Sequence, residues 1–148
     1  MVSKISVFQI DAFTREPFCG NPAGVNSGDG LTTEQMQNIA MEMNLSETAF
    51  LSDSQVADFR LRWFTPTCEV KLCGHATIAA LHYLFENDKL NNGVTVTFET
   101  LSGVLKCGLI DGNYFMQIPV FENEFYQGCK EEILNVIKIK RNDVDYSI

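Results

Sequence analysis

The chain has few histidines, prolines and basic residues. Its 148 residues include two His, four Pro and one Trp, and 11 Lys and Arg stand against 19 Asp and Glu, a formal net charge of −8. With no excess of positive charge there is no electrostatic footprint for nucleic acid. His75 and His82 are the only histidines, and the five cysteines (Cys19, Cys68, Cys73, Cys107 and Cys129) form no CxxC pair and no zinc spacing. A metal site built from His and Cys is therefore not expected. An odd, scattered set of cysteines reads as reduced thiols packed as small apolar residues, which predicts a cytoplasmic protein. No basic segment followed by an apolar run opens the sequence, so no signal peptide is read. No apolar run reaches the ~20 residues that span a bilayer, so no membrane association is expected. The chain does have 45% hydrophobic and 11% aromatic residues, a globular composition with enough apolar mass for an ordinary domain core.

Residues 72–85 (Leu72-Cys73-Gly74-His75-Ala76-Thr77-Ile78-Ala79-Ala80-Leu81-His82-Tyr83-Leu84-Phe85) form the longest run of good helix formers. Their apolar residues point around most of a helix circumference, the pattern of a central, buried helix. Other elements flank it. Residues 4–13 read as a strand. Residues 16–25 hold two prolines and two glycines and read as a shaped loop, with Gly20-Asn21-Pro22 as a turn that either presents its amides and Asn side chain or merely connects. Thr32 followed by Gln35 is a capping box, and Met36, Ile39, Ala40 and Met43 continue at helical spacing to about Asn44. Residues after Glu47 read as a short strand. Glu47 therefore sits at a helix-to-strand junction among apolar neighbours, either solvated at an element end or held in a site.

Residues 58–66 alternate as Phe59, Leu61 and Trp63 against Arg60 and Arg62, a strand with one apolar face that ends at Pro66. Residues 67–72 link it to the central helix. Val94, Val96 and Phe98 mark another strand, and residues 103–110 and 113–118 two more, joined by the hairpin signal Asp111-Gly112. Strands on both sequence sides of one helix predict an α+β fold. The character changes after Pro119: residues 130–139 carry apolar positions at roughly helical spacing, and residues 120–148 read as the start of a second unit after a first domain of residues 1–119.

Five segments together resemble one family. Phe18-Cys19-Gly20-Asn21-Pro22-Ala23, Met36-Gln37-Asn38-Ile39-Ala40-Met41-Glu42, Asn44-Leu45-Ser46-Glu47-Thr48-Ala49-Phe50, Arg62-Trp63-Phe64-Thr65-Pro66 and Glu69-Val70-Lys71-Leu72-Cys73-Gly74-His75-Ala76-Thr77 stand in the order found in the phenazine-biosynthesis isomerase family (PhzF-like), related in fold to diaminopimelate epimerase. The resemblance implies two similar α+β domains, each a curved, mostly antiparallel sheet around a central helix, with the active site between them. It implies a cofactor-independent isomerase or epimerase that moves a proton on a small carboxylate-bearing substrate. Glu47 matches the acid/base glutamate and His75 the histidine opposite it. Gly20, Asn21, Ser46, Cys73, Gly74 and Ala76 match the substrate-binding surroundings, and Cys73 is not assigned as a base. The resemblance further implies that the second domain's Asp-Pro and Gly-Ser-Ala segment completes the cleft and that a strand of the first domain comes from the far end of the family's chain. Nothing like that segment occurs here, and the first domain is expected to lack that strand. The pseudo-two-fold of the family leads us to expect a homodimer in which each copy offers Glu47 and His75. A non-catalytic binding or dimerisation domain is the alternative. A hot-dog thioesterase, which also wraps a sheet around one helix, leaves the Gly20-Asn21-Pro22 and Ser46-Glu47-Thr48 matches unexplained.

Overall fold

The computed structural model describes residues 4–27 and 30–118. The second unit expected at 120–148, and the helical spacing at 130–139, lie outside the described residues. Among the described residues, eight strands and two helices follow in the order β1 (Phe8–Ala12), β2 (Asn21–Ser27), α1 (Thr33–Met43), β3 (Thr48–Ser52), β4 (Phe59–Phe64), β5 (Glu69–Val70), α2 (Gly74–Glu86), β6 (Thr95–Thr100), β7 (Gly103–Ile110) and β8 (Asn113–Met116). The strands make one sheet ordered β1-β2-β3-β4-β6-β7-β8, with β5 paired to β4. Only β2–β3 and β4–β6 are parallel; the other pairings are antiparallel. The sheet curls around α2, whose Ala76, Thr77, Ala79, Ala80, Leu81 and Leu84 are buried. These pack with Val25, Leu61, Trp63, Phe98, Leu105 and other sheet residues into the main core.

Local chemistry accounts for most element ends. Thr32 caps α1: its hydroxyl accepts from the Gln35 amide, and the Gln35 side chain accepts from the Thr32 amide. Asn44 ends the helix in the left-handed region (φ 51°), a conformation asparagine tolerates. The β7–β8 hairpin turns on Asp111 (φ 50°) and Gly112 (φ 73°), the two positive φ values of a type I′ turn.

The loop expected over residues 16–25 is corrected. Asn21, Pro22, Ala23, Gly24 and Val25 belong to β2, and the turn lies before them. Proline is tolerated for a specific reason. The Gly24 amide donates to the Glu47 carbonyl, so the nitrogens at 22, 24 and 26 face β3. The β2–β3 ladder starts at Gly24↔Thr48, leaving Pro22 beyond it where no donor is required. Among the described residues the all-round burial expected of the central helix is incomplete: Ile78 and His82 are only partly buried. Both line a cleft of ≈ 1180 Å³ between the edge strands β1 and β8, together with Gln9, Tyr114 and residues 13–18. Among the described residues, no helix is long and apolar enough to cross a membrane.

Candidate active site

Strand direction gathers the site. β2 and β3 run parallel, so both start at the same end of the sheet. β4 runs back to that end, since Thr48 pairs with Phe64. The two-residue β5 doubles back on β4 (Trp63↔Val70, Phe64↔Glu69), which keeps the chain at that end until α2 begins. β8 finishes there as well: a Cβ built on Gly74 would meet only the Met116 methyl, 3.9 Å away. Glu47, one residue before β3, and His75, in the first turn of α2, are therefore neighbours despite the sequence between them.

His75 Nε2 lies 3.3 Å from Glu47 Oε2, with the two side chains 11% and 21% exposed. Ser46 Oγ is 3.2 Å from the same Nε2. On the other side of the ring, Nδ1 lies 3.4 Å from Cys73 Sγ. Cys73 is the N-cap of α2 and is buried, and its side chain makes no cap hydrogen bond. Burial pushes its thiol up to about 11. The Ala76 and His75 amides partly offset the rise, and the charge and hydrogen bonding of Glu47 add to it. At neutral pH the group is a thiol, not a thiolate.

The site residues expected from the sequence thus fall into two sets. Ser46, Glu47, Cys73 and His75 form one contiguous group, with Gly74 beside it in the first turn of α2. Ala76 is fully buried, so its methyl belongs to the core and only its amide reaches toward Cys73. Gly20 and Asn21 lie at the start of β2, at the same end of the sheet but on the neighbouring strand. Gly20 is wedged against β1, where an added Cβ would come 2.5 Å from the Ala12 carbonyl.

Glu47, Cys73 and His75 each offer one possible metal-donor atom, all within 4.8 Å of one another. The imidazole divides its two nitrogens between Glu47 and Cys73, however, and one ion can take only one of them. The pairing of His82 Nδ1 with the Tyr114 hydroxyl at 2.8 Å, inside the β1–β8 cleft, was not foreseen from the sequence. The available signal was helical spacing: His82 is seven residues after His75, two turns along the same side of α2.

Comparison with known proteins gives this geometry its context. The family described as "Phenazine biosynthesis-like protein" (PhzC-PhzF) matches residues 10–146. An uncharacterized isomerase of Clostridium acetobutylicum is 40% identical over 153 residues, covering 97% of this chain and 50% of its own length. A phenazine biosynthesis-like domain-containing protein of Rattus norvegicus is 46% identical over 126 residues, covering 80% of this chain and 43% of its own. The crystal structure of a PhzF-family protein from Bacillus anthracis superposes with a TM-score of 0.72 at 41% identity, over 95% of this chain and 49% of that one. A hydroxyproline epimerase of Agrobacterium vitis, at 14% identity and a TM-score of 0.55, shares the fold alone. The chain spans about half the length of the relatives it matches. A hot-dog thioesterase is set aside by these matches, and the α+β, epimerase-like fold expected from the sequence is the one observed. Motifs, fold and comparisons together place this chain in the PhzC-PhzF, phenazine biosynthesis-like family.

Proposed function

We propose that this chain carries one half of a cofactor-independent isomerase or epimerase site, in which Glu47 takes and returns a proton on a small carboxylate-bearing substrate. The observation that carries this reading is the 3.3 Å approach of His75 to Glu47 at the open N-terminus of α2. A carboxylate is a competent proton carrier when it is held within hydrogen-bond reach of the reacting atom in a partly dry site. His75, itself held by the Ser46 hydroxyl, positions Glu47. Cys73 makes no side-chain cap hydrogen bond on α2, and above Gly74 only the Met116 methyl comes near, at 3.9 Å, a suitable seat for the substrate carboxylate. Gly20 and Asn21, at the same end of the sheet, line the substrate side.

The half-site needs a facing wall. In our reading residues 120–148 begin a second, similar unit, and the wall is supplied either by the remainder of a longer polypeptide or by a second copy in a homodimer. Among the described residues β1 and β8 are the edges of the sheet, and with Phe13 and Phe18 exposed nearby they support the alternative of a domain that only binds or dimerises. Free Cys19, Cys68, Cys73 and Cys107 support a cytoplasmic setting.

The test is solvent deuterium exchange into a panel of small carboxylates, with solution mass measured in parallel. Exchange that Glu47→Gln lowers by about 10²–10⁴-fold is the expected result. Exchange that Glu47→Gln leaves unchanged would overturn the assignment of Glu47. A folded chain with no exchange on any substrate favours the binding-domain alternative.

A further inference from the structure

We propose that Cys73 is a positioning residue for His75: its thiol donates to Nδ1 and so fixes the neutral ring as the Nε2–H tautomer, with that proton directed at Glu47 and Ser46. This deepens the acid/base reading above and rests on it for its purpose, though not for its test.

The inference comes from accounting for donors and acceptors. An ionised carboxylate only accepts hydrogen bonds. Glu47 Oε2 stands 3.3 Å from Nε2, so a bare Nε2 would set two lone-pair atoms against each other at close range. The Ser46 hydroxyl, 3.2 Å from the same nitrogen, can donate or accept, so the carboxylate decides: its contact with Nε2 is favourable only when Nε2 bears the proton. A neutral ring protonated at Nε2 has an acceptor at Nδ1 that requires a donor. Among the described residues, the group hydrogen-bonded to Nδ1 is the Cys73 thiol, at 3.4 Å. Glu47 is the other acceptor within reach of that one S–H, and because Nε2–H already serves Glu47 in this tautomer, the thiol proton is left for Nδ1. Cys73 is buried at the N-cap, and its backbone is pinned because the Cys73 carbonyl accepts from both the Thr77 amide and the Thr77 hydroxyl. The sulfur is therefore a fixed partner and not a side chain that happens to be nearby. Serine would keep a donor at this position, and alanine would remove it.

The consequence for the chemistry is directional. With the proton held on Nε2, His75 donates to Glu47 while Glu47 is a carboxylate. That keeps one oxygen engaged and leaves the other for the substrate proton. The thiol gives up no proton in this scheme. It sets which nitrogen carries one.

The experiment is two-bond ¹H–¹⁵N correlation NMR on the ¹⁵N-labelled chain at about pH 8, above the ordinary histidine pKa. With two histidines in the sequence, assignment needs only one His82→Gln control. The expected wild-type result is His75 as the Nε2–H tautomer. Cys73→Ala should lower the preference for that tautomer by roughly 3–10-fold, the worth of one net hydrogen bond. Cys73→Ser should restore it. The His82 signals, set by Tyr114, should not move, which also reports that each variant is folded. An Nδ1–H tautomer in the wild type overturns the proposal, as does a tautomer unaffected by Cys73→Ala in a folded chain. If Cys73→Ala does not fold, the wild-type and Cys73→Ser spectra still decide. Failure of the Glu47 reading would appear separately, as exchange insensitive to Glu47→Gln with the tautomer intact.

Discussion

Gly24 is where the fold and the site meet, and replacing it with alanine should damage both. The strands β2 and β3 approach so closely there that a Cβ on residue 24 would lie 2.8 Å from Thr48 Oγ1, 2.9 Å from its Cγ2 and 3.3 Å from its Cβ. Thr48 is fully buried and β-branched, so it has no rotamer into which to retreat. Overpacking of this kind costs about 1–3 kcal/mol. Truncating the obstacle should relieve it. Thr48→Ala removes both of the closest atoms, and its buried Oγ1 has no hydrogen-bond partner among the described residues, so little bonding is lost. In the Thr48→Ala background Gly24→Ala should be close to neutral, because alanine in a strand regains roughly 0.5–1 kcal/mol of backbone entropy that offsets the remaining 3.3 Å contact. The double-mutant cycle should therefore show a coupling of about 1–2 kcal/mol between the two positions. Urea unfolding followed by the fluorescence of Trp63, the single tryptophan, buried on the adjacent β4, provides the readout. Because the Gly24 amide donates to the Glu47 carbonyl, Gly24→Ala alone should also disturb the Glu47–His75 contact. A coupling within ~0.3 kcal/mol of zero would refute the close-packing argument, since independent sites are additive within about that range.

Three further outcomes follow from buried or paired groups. Burial pushes Cys107 up to about 12 and Cys73 up to about 11, against an ordinary value of 9.0. The folded state then holds protons that the unfolded state has released, so stability should be intact below about pH 9 and fall as pH rises toward those values. Cys107→Ala should shallow that alkaline fall in urea midpoints. In the native state a thiol reagent such as DTNB should label exposed Cys19 and Cys68 quickly, and Cys73 and Cys107 only at the rate of opening, as read by peptide mass mapping. Arg62 makes a bidentate pair with Glu69 at 2.7 and 2.8 Å and lies 5.0 Å from the Phe64 ring centre, so Arg62→Lys should lose about 1 kcal/mol in thermal or urea melts despite keeping the charge.

How much of this was legible in the sequence depended on how local each cause was. The capping box at Thr32 and Gln35, the alternation along β4 and the Asp111-Gly112 turn act within a few residues, and each appears in the structure where the pattern put it. β2 was read as a loop because proline and glycine normally break strands. Its justification lies in β3, more than twenty residues away, which begins too late to need the Pro22 amide and too close to admit a side chain on Gly24. The open side of α2 was equally hidden, since whether a curled sheet closes over Ile78 and His82 depends on how many strands arrive and not on the helix's own pattern. The same logic explains why Glu47 could not be judged from its neighbours. A carboxylate at a helix-to-strand junction is ordinarily solvated. Two features change that here: the parallel β2–β3 pairing and the short return of β5, which together bring the N-terminus of α2, with its thiol and imidazole, against that junction. The Glu47–His75 contact is thus a property of strand direction. A substitution that shifts the β4–β5 return should separate Glu47 from His75 without touching either residue.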